Sequence, residues 1–145
     1  MGSKHHVITD AGGIPLASIL TAANRHDVTQ LIPLVDAIPA VKGKRGRPRS
    51  KPELVQGDRG YDSQPHRDEL RERGIQSLLA QRHQEHGSGL GVYRWVVERT
   101  LSWLHQFRRL RVRYERRADI HQAFLSIGCS IILLEYIVPW LKSFC

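Results

Sequence analysis

Two acidic residues, Asp58 and Glu98, stand where a carboxylate can do chemistry. Asp58 follows a short strand-like run and lies between glycines in the segment GDRGYDS. A carboxylate at the end of a strand beside a glycine turn suits a metal ligand, because the backbone is fixed while the loop admits a substrate. If Asp58 and Glu98 converge, they can bind Mg²⁺ or Mn²⁺, ions that bridge phosphate oxygens in phosphoryl transfer.

Glu98 belongs to a predicted amphipathic helix over residues 94–107. At about 100° per residue, one narrow stripe of this helix contains Arg94, Glu98, Ser102 and His105, and apolar residues fill the opposite side. Arg94 and His105 flank Glu98 by one and two turns, an arrangement that favours an ionised carboxylate. The alternative is a solvated face with ion pairs between successive turns, and the helix pattern alone does not decide between them.

A site with two metal ions usually needs a third carboxylate. Asp10, Asp27 and Asp62 are candidates by position, but each is also typical of a turn residue or a helix cap. Other enzyme classes are excluded more easily. The sequence contains no Cys or His set with zinc spacing, no glycine-rich phosphate loop and no hydrolase nucleophile elbow.

The chain is strongly basic, with a formal net charge of +8 and a pI of about 10.1. The basic residues gather in two clusters, which is typical of a protein that binds a polyanion. We expect DNA contacts from Lys42, Lys44, Arg45 and Arg47 in a flexible loop, and from Arg108, Arg109, Arg111 and Arg113 after the Glu98 helix. The alternatives are a solvated linker and, as a weaker choice of partner, anionic lipid.

The cysteines and the apolar segments indicate a reducing, cytoplasmic setting. Cys129 and Cys145 form no disulfide or metal pattern, and no signal peptide follows Met1. The most apolar run, residues 124–141, is interrupted by Glu135 and Pro139. We therefore expect a buried helix rather than a membrane span.

The elements that must position the two acids form one domain over residues 1–145. A hairpin of strands at 5–9 and 14–21 turns at DAGG, and Asp27 caps a helix over 28–38. A strand at 53–56 precedes Asp58, and Ser63 and Gly74 bound a helix over 64–73. A strand at 75–80, the Glu98 helix and a helix over 118–142 complete an α/β order with mixed strand directions.

Three stretches resemble the DDE transposases of bacterial insertion sequences, in the group with a compact ribonuclease H-like core. The matching stretches are ITDAGGIPLASILTAANRHD, GDRGYDS and RWVVERTLSWLHQFRRLRVRYERR, which are spread over nearly the whole chain. The resemblance implies that Asp58 is the second catalytic aspartate and Glu98 the catalytic glutamate, both ligands of Mg²⁺ or Mn²⁺.

The family's helix signature is Tyr-x2-Arg-x3-Glu-x6-Lys, and this sequence departs from it at two positions. Arg94 and Glu98 match, which implies that Arg94 contacts phosphate. His105 replaces the lysine, so that its DNA contact depends on pH, and Gly91 replaces the tyrosine.

The resemblance also implies an incomplete core. In this family the first catalytic aspartate lies on the strand before the one that residues 5–9 resemble, and this chain begins too late to contain it. Asp10 is the turn residue of the hairpin. We expect a ribonuclease H-like mixed sheet flanked by helices, with an extra C-terminal helix and without the first, central strand, whose absence leaves the ladder open beside residues 5–9 and 53–56.

The expected function is that of the C-terminal catalytic part of a transposase. An upstream segment supplies the first aspartate, and a homodimer on DNA brings together the element ends and the target in the bacterial cytoplasm, at the nucleoid. The complete protein hydrolyses the phosphodiester at the element ends and transfers the 3′-hydroxyl to target DNA. The alternatives are a non-catalytic DNA-binding or regulatory fragment and a decayed reading frame without function.

Overall fold

The computed structural model describes residues 2–41, 46–81 and 91–142, with side chains in the last segment from 95 to 139. Its strands are β1 (Ser3–Thr9), β2 (Pro15–Ala22), β3 (Leu54–Gly57) and β4 (Gln76–Leu79). Its α-helices are α1 (Leu31–Asp36), α2 (Gln64–Glu72), α3 (Gly91–Gln106), α4 (Arg108–Arg111) and α5 (Ala118–Lys142). The predicted order of strands and helices is confirmed, with α4 as an addition.

The first two strands form the predicted hairpin. They pair antiparallel, with His6 opposite Ile19. The Asp10 carboxylate accepts hydrogen bonds from the backbone N–H groups of Gly12 (2.9 Å) and Ile14 (2.8 Å). Asp10 is therefore a turn residue, as predicted, because its side chain satisfies backbone donors that the turn leaves unpaired.

Strands β3 and β4 form a parallel pair, with α2 as the connection between them. Pro65 lies in the first turn of α2, where a missing N–H costs nothing. Gly74 ends the helix in the left-handed region with a φ of 66°, and the next N–H, of Ile75, donates to the Leu70 carbonyl at 2.8 Å. The predicted glycine stop is confirmed.

The hairpin lies between two hydrophobic clusters, because successive side chains of a strand point to opposite faces. On one face, Ile8 packs against a first cluster made of Leu31, Ile32, Val35, Val55, Leu70, Ile75 and Leu79. On the other face, Val7 packs against a second cluster made of Leu104, Leu110, Leu125 and Ile132. Both clusters therefore depend on β1.

Within the described ranges, the strands form two separate pairs, β1 with β2 and β3 with β4. The α/β class with both antiparallel and parallel pairs agrees with the prediction. The ribonuclease H-like sheet, in which a further strand joins the two pairs, stays a prediction.

The predicted cap at Asp27 is wrong, whereas Ser63 is confirmed as the N-cap residue of α2 but without a side-chain bond. Asp27 opens a 3-10 turn, Asp27–Gln30, and pairs with Lys4 at 2.9 Å instead of capping. Because Pro33 has no N–H to donate to the carbonyl of Thr29, the α-helix begins only at Leu31. Ser63 stands at the N-cap of α2, but its hydroxyl lies 2.7 Å from Nδ1 of His66 and makes no cap bond.

The predicted final helix, α5, has the expected bounds and continues past Pro139. The expectation that it is buried holds for one face, which includes His121, Leu125 and Ile132, whereas Ile127 and Leu134 on the other face are more than half exposed. By length and composition alone, residues 118–139 of this helix could cross a membrane, and 17% of the most apolar 18 residues of that stretch are buried. Length and composition are weak evidence of a span when one helix face is packed in a core.

Candidate active site

Asp58 follows β3 directly and is exposed. It caps the 3-10 turn Arg59–Tyr61, because its Oδ1 accepts the N–H of Gly60 at 2.9 Å. A Cβ on Gly60 would lie 3.0 Å from that oxygen and 3.3 Å from Oδ2 of Asp27. The glycine therefore allows the backbone to wrap closely around the Asp58 carboxylate while leaving its other oxygen available.

The Asp58 turn is fixed to the hairpin through Tyr61. The Tyr61 hydroxyl lies 3.3 Å from Nδ1 of His6, and Nε2 of His6 lies 2.8 Å from the hydroxyl of Thr21. Burial, with the nearby charges of Asp27 and Asp58, raises the pKa of Tyr61 to about 12. Burial also lowers the pKa of His6, although Asp27 opposes this effect. At neutral pH both groups are uncharged, so they form a stable hydrogen-bonded chain.

Glu98 lies on the exposed side of α3, as the helix projection predicted. Ser102 and His105 are exposed with it, whereas Val96, Thr100 and Leu104 are buried on the opposite side. The backbone of Arg94 is part of α3, but its side chain lies outside the described residues. The predicted stripe is therefore confirmed for three of its four members.

His105 faces a histidine cluster between the hairpin and the helices. Its ring centroid is 5.9 Å from that of His5, and Nε2 of His5 is 3.0 Å from Nε2 of His121. His121 also lies 3.3 Å from Glu115, which pairs with Arg109. Burial, with the neighbouring His121 and His105, lowers the pKa of His5 to about 4. His5 is therefore neutral at pH 7 and packs as an uncharged ring.

The three candidates for a further carboxylate have separate structural contacts. Asp10 accepts two N–H groups of the hairpin turn. Asp27 pairs with Lys4, and Asp62 forms a largely buried ion pair with Arg67. Asp62 ends the Asp58 turn itself, and Asp27 lies beside that turn, since its carboxylate and that of Asp58 both act on Tyr61.

The arginines predicted to bind DNA are in two different situations. Arg113 donates to Ser3 Oγ and to the carbonyl oxygens of Glu115 (2.8 Å) and Arg116 (3.0 Å), which fixes the chain after α4 to β1. Arg109 pairs with Glu115 and lies over the ring of Phe124.

Two other arginines of this run, which are exposed as Arg109 is, have no acidic partner among the described residues. Arg108 donates to the hydroxyl of Tyr114 at 3.2 Å. The side chain of Arg111 has no hydrogen bond or ion pair with any described residue. In the other cluster, Arg47 is exposed, and Lys42, Lys44 and Arg45 lie outside the described residues.

The donor set falls short of the metal centre that the resemblance implies. Asp58 and Glu98 supply hard oxygen ligands of the kind that Mg²⁺ takes. In the part of the chain that the structure describes, however, no three His, Cys, Asp or Glu residues are grouped to hold a metal ion. These residues alone do not form a complete centre.

Sequence reasoning missed Arg99 and Thr100, which follow Glu98 and contact the hairpin turn. Arg99 donates to the carbonyl oxygen of Gly12 at 2.6 Å, and Thr100 donates to that of Gly13 at 2.7 Å. A signal was present in the spacing of Trp95, Arg99 and Trp103, which places a cation one helical turn from each of two aromatic rings. The partner in the turn is far away in sequence and gave no such signal.

Comparison with known proteins points to one family. The family described as "Transposase DDE domain" matches residues 1–133. The chain is 66% identical, over 131 residues, to the "Putative transposase for insertion sequence element IS402" of Burkholderia cepacia, covering 90% of this chain and 62% of the relative. It is 30% identical, over 125 residues, to the "Transposase for insertion sequence element IS1106" of Neisseria meningitidis serogroup B, covering 79% and 40%.

The chain thus spans less than two thirds of the length of either relative. No solved structure matches it.

Proposed function

We propose, from the premise that the chain belongs to the family of transposase DDE domains, that it is the catalytic portion of an insertion-sequence transposase. The observation that supports this most is the placement of Glu98, an exposed acid on a helix whose opposite side is buried. Asp58 supports it further, since a backbone hydrogen bond holds its carboxylate at the end of β3. Both acids are thereby presented outward from fixed elements.

The proposed reaction is cleavage and rejoining of DNA. Hydrolysis of a phosphodiester at the element end frees a 3′-hydroxyl, and that hydroxyl then displaces a phosphodiester oxygen in the target strand. Asp58 and Glu98 are the acids proposed for this site. A divalent ion, Mg²⁺ or Mn²⁺, would stabilise charge on the phosphate, and the proposal requires a further carboxylate from an upstream segment to complete its ligands.

The proposed partners are the two element ends and the target DNA in the bacterial cytoplasm, at the nucleoid. The charge of +8 favours contact with the phosphate backbone. Arg108, Arg111 and Arg47 are the described arginines best placed for it, because Arg109 and Arg113 are tied to other parts of the chain. A homodimer on DNA would bring the two ends together. In the proposed ribonuclease H-like sheet, a strand from the upstream segment would lie between β1 and β3.

A second function is favoured by one observation, the lack of a three-ligand group among the described residues. In this alternative, the chain binds element ends without cutting them and regulates assembly of the active complex. DNA affinity that falls with salt, without nicking by the complete transposase, would support it.

The test is nicking of a labelled element end by the complete transposase that contains this chain. Glu98→Gln removes the charge but keeps the size. We expect cleavage to fall by about 10²–10⁴-fold, because a weakened metal site loses several kcal/mol of charge stabilisation in the transition state. Glu135→Gln, at an exposed position on α5, is the matched control and should retain full activity. Retained cleavage in Glu98→Gln would contradict the proposal.

A further inference from the structure

The β1–β2 hairpin contacts both segments that present the candidate acids, and it does so at two separate places. Near the middle of β1, the buried ring of His6 lies within hydrogen-bond distance of the Tyr61 hydroxyl from the Asp58 turn. At the tip of the hairpin, carbonyl oxygens of the turn accept hydrogen bonds from Arg99 and Thr100 of α3. These two contacts connect the Asp58 turn and the Glu98 helix through the same pair of strands.

The contact on the Asp58 side is a chain of three polar side chains. Tyr61, His6 and Thr21 follow one another at 3.3 and 2.8 Å. His6 and Thr21 lie diagonally across the strand pair, since His6 is opposite Ile19 and Thr21 is opposite Lys4. This series of hydrogen-bonded side chains is therefore anchored on both strands of the hairpin, which limits movement of the turn that contains Asp58.

The contact on the Glu98 side uses two successive helix residues. The Thr100 side chain is fully buried, and its hydroxyl donates to the Gly13 carbonyl oxygen. Arg99 donates to the Gly12 carbonyl oxygen, which also accepts the hydroxyl of Tyr136 from α5 at 3.1 Å. Three donors from two helices therefore hold two successive carbonyl groups of the turn.

The Arg99 side chain is held rigidly. Its guanidinium lies 4.5 Å from the ring centroid of Trp95 and 4.8 Å from that of Trp103. Gly13 has a φ of 89°, and a Cβ there would lie 2.7 Å from Nη2 of Arg99 and 3.2 Å from Oγ1 of Thr100. The turn and the helix are thus as close as a glycine allows.

We propose that the hairpin is the common support that sets the position of Asp58 relative to Glu98, with Tyr61, Arg99 and Thr100 as positioning residues. This inference rests on the proposed function, because it assigns these residues to the alignment of the two proposed catalytic acids. None of the three touches the substrate in this account.

The support is needed because a small movement of α3 would displace the Glu98 carboxylate. A carboxylate extends about 6 Å from a helix axis, so a rotation of α3 by about 20° would move the Glu98 carboxylate by about 2 Å. A misplacement of about 1 Å can reduce a reaction rate by about 100-fold. Contacts from two adjacent residues, 99 and 100, resist both rotation and sliding of the helix.

The test uses the complete transposase with Thr100→Val, which removes the buried hydroxyl and keeps the shape, and Tyr61→Phe, which removes the other contact. We expect kcat for end cleavage to fall by about 10–100-fold in each variant, with KM for DNA nearly unchanged. Thr100→Val should also lower the thermal midpoint, because the Gly13 carbonyl oxygen loses a buried donor. Thr100→Ser restores a hydroxyl and should recover most of kcat. Thr29→Val, which removes an exposed hydroxyl bonded to the His26 carbonyl, is the control and should keep kcat.

Unchanged kcat in both Thr100→Val and Tyr61→Phe would overturn the inference, as would a loss that Thr100→Ser does not recover. If Thr100→Val does not fold, Arg99→Lys gives the same measurement, because lysine keeps the charge but cannot reach between the rings in the same geometry. The proposed function fails separately, through full activity of Glu98→Gln, whatever these variants do.

Discussion

The acids of this chain differ in what holds them. Asp10 accepts backbone hydrogen bonds in the hairpin turn, whereas Asp27 forms an ion pair with Lys4 and Asp62 with Arg67. Asp58 is exposed just after β3, and Glu98 is exposed near the middle of α3. Sequence reasoning could propose Asp58 and Glu98 from their flanking residues and from the family motifs, and it correctly assigned Asp10 to the hairpin turn. It could not find the partners of Asp27 and Asp62, because the fold sets them.

The arginine run separates into structural and exposed side chains, which gives opposite expectations for two neighbours. Arg111→Ala should weaken binding to every DNA sequence and reduce the slope of log affinity against log salt by up to ~0.9, with the thermal midpoint unchanged. Arg113→Ala should instead lower the free energy of unfolding by about 1–3 kcal/mol, because it removes partly buried hydrogen bonds to β1 and to the chain after α4.

Salt-dependent DNA binding and urea unfolding of both variants measure this difference. If Arg111→Ala left both the affinity and the salt slope unchanged, the exposed arginine would be a solvated side chain only. If Arg113→Ala left the stability unchanged, its hydrogen bonds would contribute nothing to the fold.

His5 predicts a dependence of stability on pH. Its pKa falls from 6.5 to about 4 on folding, so between these values the unfolded chain binds a proton that the folded chain does not. The contribution of neutral His5 to the free energy of unfolding is therefore complete above about pH 6.5, and it is lost as the pH falls towards 4. Urea unfolding at pH 7.5 and pH 5 should show the loss, and His5→Gln should reduce it, whereas His26→Gln at an exposed position should not. An identical pH dependence in His5→Gln would contradict this assignment.

At the scale of elements, local sequence patterns predicted most of the strands and helices. They did not predict the long-range contacts between those elements. Alternating and helical periodicity, the DAGG turn and Gly74 predicted the strands, the main helices and one helix end close to their observed positions. The short helix α4 was missed, because Phe107 adopts an extended backbone and interrupts the helix pattern. The contact between the hairpin turn and α3 joins residues that are 87 positions apart, which no local pattern encodes.

The turn itself gives a test with a matched neighbour. Gly13→Ala places a side chain in the left-handed region and against Arg99, so the free energy of unfolding should fall by about 1–3 kcal/mol. In Gly12→Ala the added Cβ meets only the Asp10 side chain, at 3.3 Å. We expect a change below about 1 kcal/mol there. Equal urea midpoints for the two variants would show that the close approach at Gly13 is not needed.

The whole molecule is organised around a hairpin that is packed on both faces. The first cluster brings the Asp58 turn to it through Ile8 and Tyr61, and the second brings α3 and α5 through Val7. The sequence predicted the order of these elements and the basic charge, whereas the two-sided packing depends on which face of each element meets which partner.

The most direct test of the proposed function is strand transfer into target DNA by the complete transposase with one acid changed at a time. Asp58→Asn and Glu98→Gln should each abolish transfer while DNA binding persists. Asp10→Asn should stay active, because asparagine keeps the Oδ1 acceptor that the hairpin turn uses. Transfer that survives Asp58→Asn or Glu98→Gln would contradict the assignment of these two carboxylates as the chemical centre of the chain.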